Sequence, residues 1–373
     1  MTDSATLRAR LERLLAAAGA AGFDALALNP TPTLGYATGL SFHLMERPVV
    51  LIASVRGRHA IVLPELERLK LEDARFEVTG FAYGEDPARW HEAFTATAAH
   101  AGLAHARVGI EPRGLRVVEY DFLRAAAPEA RFESADAALA AVRGVKDAAE
   151  AGALRAAVHA CEAALSATLP LLRLGMTETE LASELVLQLL RAGSSLELPF
   201  APIVSFGENS ANPHASPTDR PMRPGDLVLV DWGSRVGGYC GDLTRVFYAG
   251  EPDAELLRVG ALVREANEAA QAVAGPGVPC EAVDAAARGV IERAGYGPMF
   301  VHRTGHGLGL EAHETPYIRA GNTEPLAAGA CFTIEPGIYL AGRGGVRIED
   351  DMLVTETGVE CLSTLPRALA PIA

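Results

Sequence analysis

Residues 226–247, DLVLVDWGSRVGGYCGDLTRVF, constrain the fold more than any other stretch. Two apolar runs, 227–230 and 243–248, flank a glycine-rich segment at 233–241. That pattern predicts a β-hairpin with a loose turn. Each run meets the turn with a carboxylate, Asp231 on one side and Asp242 on the other. A carboxylate at the end of a buried run is costly unless a positive group pairs with it. Two carboxylates facing each other across a hairpin repel, and one is driven toward protonation. A bound cation removes both costs. The plain alternative is a solvated turn, since Asp is a common turn residue.

The rest of the chain bears on that choice. With 373 residues, 49% of them hydrophobic, it is long enough for two soluble domains with buried cores. A net charge of -14 argues against a nucleic-acid surface. Lys70 and Lys146 are the only lysines, so the positive charge is nearly all arginine, a compositional bias with no functional message. Met1-Thr2-Asp3-Ser4 and the charged amphipathic segment after it do not read as a secretory signal. No apolar run reaches membrane-spanning length. Cys161, Cys240, Cys280, Cys331 and Cys361 are scattered, form no CxxC pair and suit a reducing cytoplasm. Cys240, inside the hairpin, reads as a small apolar filler.

Residues 1–143 alternate helix and strand and are expected to form a smaller α/β or α+β domain. Ser4 is the expected cap of a first helix with Leu7, Leu11, Leu14 and Leu15 on one face. Short strands are expected at 24–28, 49–53, 59–63 and 108–110, the middle two as a hairpin, and helices at 87–101 and 115–127. This part holds no cluster of His, Cys and carboxylates, and Tyr36, His43 and Trp90 read as structural. A boundary falls at Arg143-Gly144, and residues 144–373 form the second domain. There Asp147 caps a long helix, and Thr177 with Glu180 makes a capping box for another. Helices are expected again at 253–273 and 280–294, followed by strands at 331–340 and 346–355. Two helices followed by strands thus occur twice, which lets two halves pack face to face around a cleft.

The second half carries further unusual residues. His306 stands in Gly305-His306-Gly307-Leu308-Gly309, where glycines let the backbone approach a ligand or a neighbouring strand. Glu335 ends the apolar run 331–334 and is followed by Pro336-Gly337. Alternation along a strand puts Arg347 and Glu349 on one face, with Val346 and Ile348 on the other. Singly, each has an ordinary reading: a structural histidine, a solvated glutamate, a glutamate paired with Arg347. Together, Asp231, Asp242, His306, Glu335 and Glu349 offer four carboxylates and one imidazole. Two divalent ions would balance them, and hard oxygen donors with one nitrogen suit Mn²⁺, Fe²⁺ or Co²⁺. His313-Glu314 begins like HExxH, but the second His is missing and Pro316 would break the helix that motif needs. The glycines around His306 lack the GxGxxG spacing of a dinucleotide site.

Assembled, these residues resemble the pita-bread metallopeptidases, within them the Xaa-Pro peptidases: prolidase (Xaa-Pro dipeptidase) and aminopeptidase P. The matching segments are Asn209-Ser210-Ala211-Asn212-Pro213-His214, Asp231-Trp232-Gly233 with Gly238-Tyr239 and Asp242-Leu243-Thr244-Arg245, and Gly305-His306-Gly307-Leu308-Gly309-Leu310 with His313-Glu314. Glu335-Pro336-Gly337-Ile338-Tyr339 and Gly345-Val346-Arg347-Ile348-Glu349-Asp350 complete the set. Weaker likeness to the family's creatinase-like N-terminal domain lies in Tyr36-Ala37-Thr38-Gly39, Glu46-Arg47-Pro48 and Leu63-Pro64. The resemblance implies an α+β pita-bread catalytic domain holding two divalent ions, most simply Mn²⁺. Asp231 would be bidentate to one ion and His306 with Glu335 would hold the other. Asp242 and Glu349 would bridge them, with a water or hydroxide between the ions as nucleophile. Glu335 would pass a proton toward the leaving proline nitrogen. His214 and His313 would line the substrate pocket and stabilise the oxyanion. Arg347 would help hold the substrate or the groups around it. It further implies short proline-containing peptides as substrates, a homodimer and a cytoplasmic location. Cys240-Gly241 departs from the family, which often has a small residue followed by Ser there. A non-peptidase enzyme on the same fold, or a binding protein, stays open at this point.

Overall fold

The computed structural model describes residues 3–372. The chain divides into two units, Met1–Arg143 and Gly144–Ala373. In the first, helix α1 (Ser4–Ala20) is capped by Asp3, not Ser4: the Asp3 carboxylate accepts from the amides of Ala5 at 2.9 Å and Thr6 at 3.0 Å. A carboxylate there also answers the positive end of the helix dipole. The order continues β1 (Ala25–Leu28), α2 (Pro32–Thr38), β2 (Val50–Ser54), β3 (Ala60–Pro64), β4 (Thr79–Tyr83), α3 (Trp90–Ala101), β5 (Arg107–Ile110), α4 (Val117–Ala126), β6 (Arg131–Ser134) and α5 (Asp136–Arg143). The six strands form one mixed sheet, β4-β3-β2-β1-β5-β6. The expected hairpin is β2 with β3. Sequence reading missed the two edge strands, because β4 and β6 are half exposed and carry no apolar run.

The second unit begins with α6 (Ala148–Thr168), whose cap Asp147 forms a capping box with Glu150. Next comes α7 (Glu178–Arg191), with the Thr177–Glu180 box in place. Then follow β7 (Ile203–Phe206), β8 (Leu227–Val236), β9 (Tyr239–Tyr248), α8 (Ala254–Val273) and α9 (Cys280–Arg293). The remaining strands are β10 (Gly305–Gly307), β11 (Glu314–Ile318), β12 (Cys331–Ile334), β13 (Gly337–Leu340), β14 (Gly344–Arg347), β15 (Asp350–Val354), β16 (Val359–Cys361) and β17 (Ala370–Pro371). One sheet runs β17-β9-β8-β7, a second β11-β10-β12-β15-β16, and β13 pairs with β14. Val158, Leu165, Leu181 and Leu185 of α6 and α7 pack on Val228, Val230 and Trp232. Val259, Val263, Val283 and Ile291 of α8 and α9 pack on Phe332, Ile334 and Ile348. The sequence order of helices and strands therefore becomes two helix-backed layers within this unit.

The hairpin turn is tight, which corrects the expected loose turn. Strands β8 and β9 pair in unbroken register down to Val236↔Tyr239, leaving only Gly237 and Gly238 to turn. Both have positive φ, 59° and 89°, which suits the twist of the flanking strands. The other glycines of the segment answer crowding. A Cβ on Gly241 would lie 2.9 Å from the backbone carbon of Ala157, so α6 packs directly against β9 there. That accounts for Gly241 beside the buried Cys240.

Candidate metal centre

Asp231 and Asp242 lie within strands, not at their ends. Alternation along β8 puts Leu227, Leu229 and Asp231 on one face. The register Asp231↔Thr244 and Gly233↔Asp242 adds Asp242, Thr244 and Val246 to the same face. Leu227, Leu229 and Val246 join the core beneath α8 and α9, while Val228, Val230, Trp232 and Leu243 join the core beneath α6 and α7. Both faces of the hairpin are thus committed, and a one-residue slip would bury leucines and carboxylates on the wrong sides.

The second layer brings its ligand candidates to that face. The backbone amide of Glu349 donates to the Thr244 carbonyl at 3.2 Å, and the Thr244 hydroxyl donates to Glu349 Oε2 at 2.6 Å. His306 sits on β10 between two close backbones. A Cβ on Gly305 would fall 1.8 Å from the Thr333 carbonyl oxygen, and one on Gly307 would fall 2.1 Å from that of Thr315. Only glycine fits either place. The His306 amide donates to the Thr333 hydroxyl at 3.1 Å. Its Nδ1 lies 3.1 Å from the Gly307 carbonyl, so in the neutral ring Nδ1 carries the proton and the Nε2 lone pair is free. That Nε2 lies 3.3 Å from Glu335 Oε1 and 3.9 Å from Asp242 Oδ2. Ligand atoms of Asp242, His306 and Glu349 all fall within 4.8 Å of one another. Pro336 interrupts the ladder after β12, and there Glu335 turns inward.

Burial drives the acid pKa of Asp242 and Glu349 well above the carboxylate range, and neighbouring carboxylates push in the same direction. Asp231 is also raised by burial, against the pull of Arg347. Burial lifts Glu335 to about 7. His306 is held well below the usual imidazole value by burial and by the neighbouring His313. Asp231 Oδ1 is buried and has no hydrogen-bond partner. A set of buried acids, an orphaned oxygen and a lone pair aimed at carboxylates fits hard divalent cations.

These shifts set a pH dependence for the metal-free protein. A carboxyl whose pKa is raised by folding stabilises the folded state at low pH, and that gain is lost as pH rises through the raised pKa. The depressed histidines, His302, His306 and His313, act oppositely, but their effect is complete once pH passes about 6.5. Metal-free protein therefore loses stability between pH ~6.5 and ~8. Ligands must shed protons to bind metal, so the Tm gain on adding Mn²⁺ grows over that window. Melting curves at both pH values test this; a metal-free Tm that holds or rises would contradict it.

Arg347 faces this cluster and is buried. Its Nη2 pairs with Asp231 Oδ2, its Nε donates to the Thr244 hydroxyl at 3.2 Å and its Nη1 donates to Tyr339 Oη at 2.7 Å. Tyr339 Oη in turn lies 2.9 Å from His302 Nε2. His302 Nδ1 lies 2.8 Å from the Arg303 carbonyl, which leaves Nε2 to accept from Tyr339. Sequence reading assigned no role to His302, Tyr339 or Thr244. A signal existed for Tyr339: a Cβ on Gly337 or Gly345 would lie 2.6 Å from its side chain, so these glycines make room for its ring. His214 and His313 are exposed. The His313 ring centroid is 4.0 Å from that of His306. Arg303 Nη2 lies 3.3 Å from His313 Nδ1, so a neutral His313 carries its proton on Nε2. His214 is close enough for its charge to bear on Asp231 and His313. All eight residues picked from the sequence lie in the second unit: Asp242, His306 and Glu349 converge, Glu335 lies beside His306, Asp231 pairs with Arg347, His313 stacks near His306 and His214 is exposed.

Comparison with known proteins agrees with this geometry. The model of metallopeptidase family M24 matches residues 152–356. That of the creatinase/prolidase N-terminal domain matches residues 10–145. The Xaa-Pro dipeptidase of Lactobacillus helveticus is 35% identical over 333 residues, covering 88% of this chain and 89% of its own length. The crystal structure of recombinant prolidase from Thermococcus sibiricus superposes with a TM-score of 0.93 at 32% identity, covering 100% of both chains. Dipeptidase PepE from Mycobacterium ulcerans gives 0.90 at 34% identity, covering 100% of this chain and 99% of its own.

Proposed function

The chain belongs to metallopeptidase family M24, and from that premise we propose that it is an Xaa-Pro dipeptidase whose ions sit among Asp231, Asp242, His306, Glu335 and Glu349. It is a metallo-exopeptidase with a pita-bread catalytic domain and a creatinase-type N-terminal domain. We take residues 144–373 as the catalytic part. The convergence of Asp242, His306 and Glu349 within 4.8 Å carries the metal reading. The Xaa-Pro dipeptidase and prolidase relatives support the substrate.

Asp231, Asp242, His306, Glu335 and Glu349 would together hold the ions. When bound, divalent ions polarise a carbonyl and lower the pKa of water. The chain's own groups do the rest. Arg347, braced by Tyr339 and Thr244, fixes Asp231. Glu335 is placed to take up a proton on its carboxylate and deliver it to the leaving proline nitrogen. His313 offers an Nε2–H donor to the developing oxyanion, with His214 as the second donor. Hard oxygens with one imidazole favour Mn²⁺ over Co²⁺ or Fe²⁺ in our reading. A homodimer and a cytoplasmic location complete it. Five free cysteines, four of them buried, accord with a reducing compartment. No helix among the described residues is long and apolar enough to cross a membrane.

Metal-stripped protein reloaded with Mn²⁺ is expected to cleave Ala-Pro and to leave Ala-Pro-Ala largely intact. Cleavage of the tripeptide with little of the dipeptide would make it an aminopeptidase P. Cleavage of neither would refute peptidase action at proline and favour a different substrate on this fold.

A further inference from the structure

Resting on the reading of His214 as an oxyanion donor, we propose that Glu178 is a positioning residue that presets the His214 loop. Residues 207–226 connect β7 to β8, and their first part, the loop 207–217, carries His214 exposed at the surface. Glu178 opens α7, and its residue is fully buried, 0% exposed. Its Oε1 accepts from the Phe206 amide at 2.7 Å and from Asn209 Nδ2 at 3.0 Å. Its Oε2 accepts from the Thr218 amide at 2.9 Å, the Thr218 hydroxyl at 2.5 Å and Asn209 Nδ2 at 3.2 Å. Phe206 precedes the loop and Thr218 follows it. One carboxylate therefore closes both ends of the loop, and Asn209 ties its first turn to the same point.

The far side of the loop is held just as tightly. The Ser210 hydroxyl donates to the Gly207 carbonyl at 2.6 Å and accepts from the Gly345 amide at 2.8 Å. A Cβ on Gly345 would lie 2.3 Å from the Ser210 carbonyl oxygen, so loop and β14 are in backbone contact. Arg347 Nη1 reaches the Pro213 carbonyl at 3.4 Å. The loop is thus fixed between α7 and the strand that bears Arg347, with His214 next to Pro213.

A buried carboxylate without a cation is expensive, and among the described residues no cation pairs with Glu178. What compensates it is the convergent set of N–H and O–H donors, which bond more strongly to an ionised acceptor, and the positive end of α7. The chemistry demands a carboxylate. Both oxygens must accept, and an amide would set its NH₂ against a donor of Phe206 or Thr218.

The experiment is a double-mutant cycle in the full-length Mn²⁺-loaded protein with Ala-Pro as substrate. Glu178→Gln is expected to lower kcat about 10–100-fold, the range seen when a supporting partner of a site is lost. Mn²⁺ binding measured calorimetrically should stay unchanged, and amide exchange should quicken at 206–218 only. His214→Ala lowers kcat by itself, and adding Glu178→Gln to it costs less than about twofold more, because coupled residues are not additive. Losses that multiply, or lost Mn²⁺ binding in Glu178→Gln alone, would overturn the positioning role while leaving the His214 reading intact. Full kcat in His214→Ala would overturn that reading and this proposal with it. If Glu178→Gln does not fold, Thr218→Val removes one donor and should show the same non-additivity at a smaller loss; multiplying losses there would also overturn the proposal.

Discussion

Asp242→Asn lowers Ala-Pro hydrolysis by about 10³-fold or more, the scale on which a transition-state stabiliser is lost, and leaves the chain folded. Asp242 is 4% exposed and lies on β9, facing the second layer. Its Oδ2 faces His306 Nε2 at 3.9 Å, and burial with the charges of Glu349, Asp231, Asp351 and Glu335 raises its pKa. Its backbone amide donates to Asp351 Oδ2 at 2.9 Å, a contact the substitution preserves. The amide matches the carboxylate in size but carries no charge and cannot bridge two cations. Relief from like-charge repulsion means that metal-free Asp242→Asn melts no lower than metal-free wild type near pH 8. What disappears is the rise in Tm on adding Mn²⁺. Hydrolysis at the wild-type rate by a folded Asp242→Asn would remove Asp242 from the site.

Arg347→Ala destabilises the metal-free protein by about 3–5 kcal/mol, as expected when one partner of a buried ion pair is removed. Arg347 is 3% exposed, and its guanidinium serves Asp231, Thr244, Tyr339 and Pro213 together. Its loss leaves Asp231 buried and unpaired, and leaves the Tyr339 hydroxyl with only His302. Lysine does not rescue it, because an ammonium cannot present the planar fork that meets four neighbours at once. Mn²⁺ recovers part of the loss by supplying positive charge to Asp231. Urea titrations of metal-free and Mn²⁺-loaded protein check both statements. A loss below about 1 kcal/mol, the value of a solvent-exposed pair, would contradict the first.

The candidate site was legible where chemistry breaks a pattern. Asp231 and Asp242 interrupt apolar strands, His306 stands among glycines, and Glu335 precedes a proline: each is an anomaly that needs a reason. The same reasoning misplaced the hairpin turn, because Gly233 and Gly241 read as turn residues. Their neighbours are far off in sequence: Pro199 and Phe200 crowd Gly233, and α6 crowds Gly241. Tyr339, His302 and Arg303 went unassigned for a related reason. Their roles depend on side-chain partners 8 and 10 residues away that local spacing does not bring together, Arg347 for Tyr339 and His313 for Arg303. Glu178, beside the Thr177–Glu180 capping box, drew no reading of its own, because local spacing cannot reveal that its carboxylate reaches Phe206 and Thr218. In the first unit the buried strands β1, β2 and β3 announced themselves as apolar runs, whereas the half-exposed edges β4 and β6 did not.

Asp231, Asp242, His306, Glu335 and Glu349 would hold two ions, and these ions would carry Xaa-Pro cleavage. Titrating metal-stripped protein with Mn²⁺, while counting bound ions and following Ala-Pro hydrolysis in the same samples, tests it most directly. Two ions per chain are expected, with hydrolysis absent from the stripped protein and rising as the sites fill. Hydrolysis that persists without metal, or a chain that binds no ion, would contradict it.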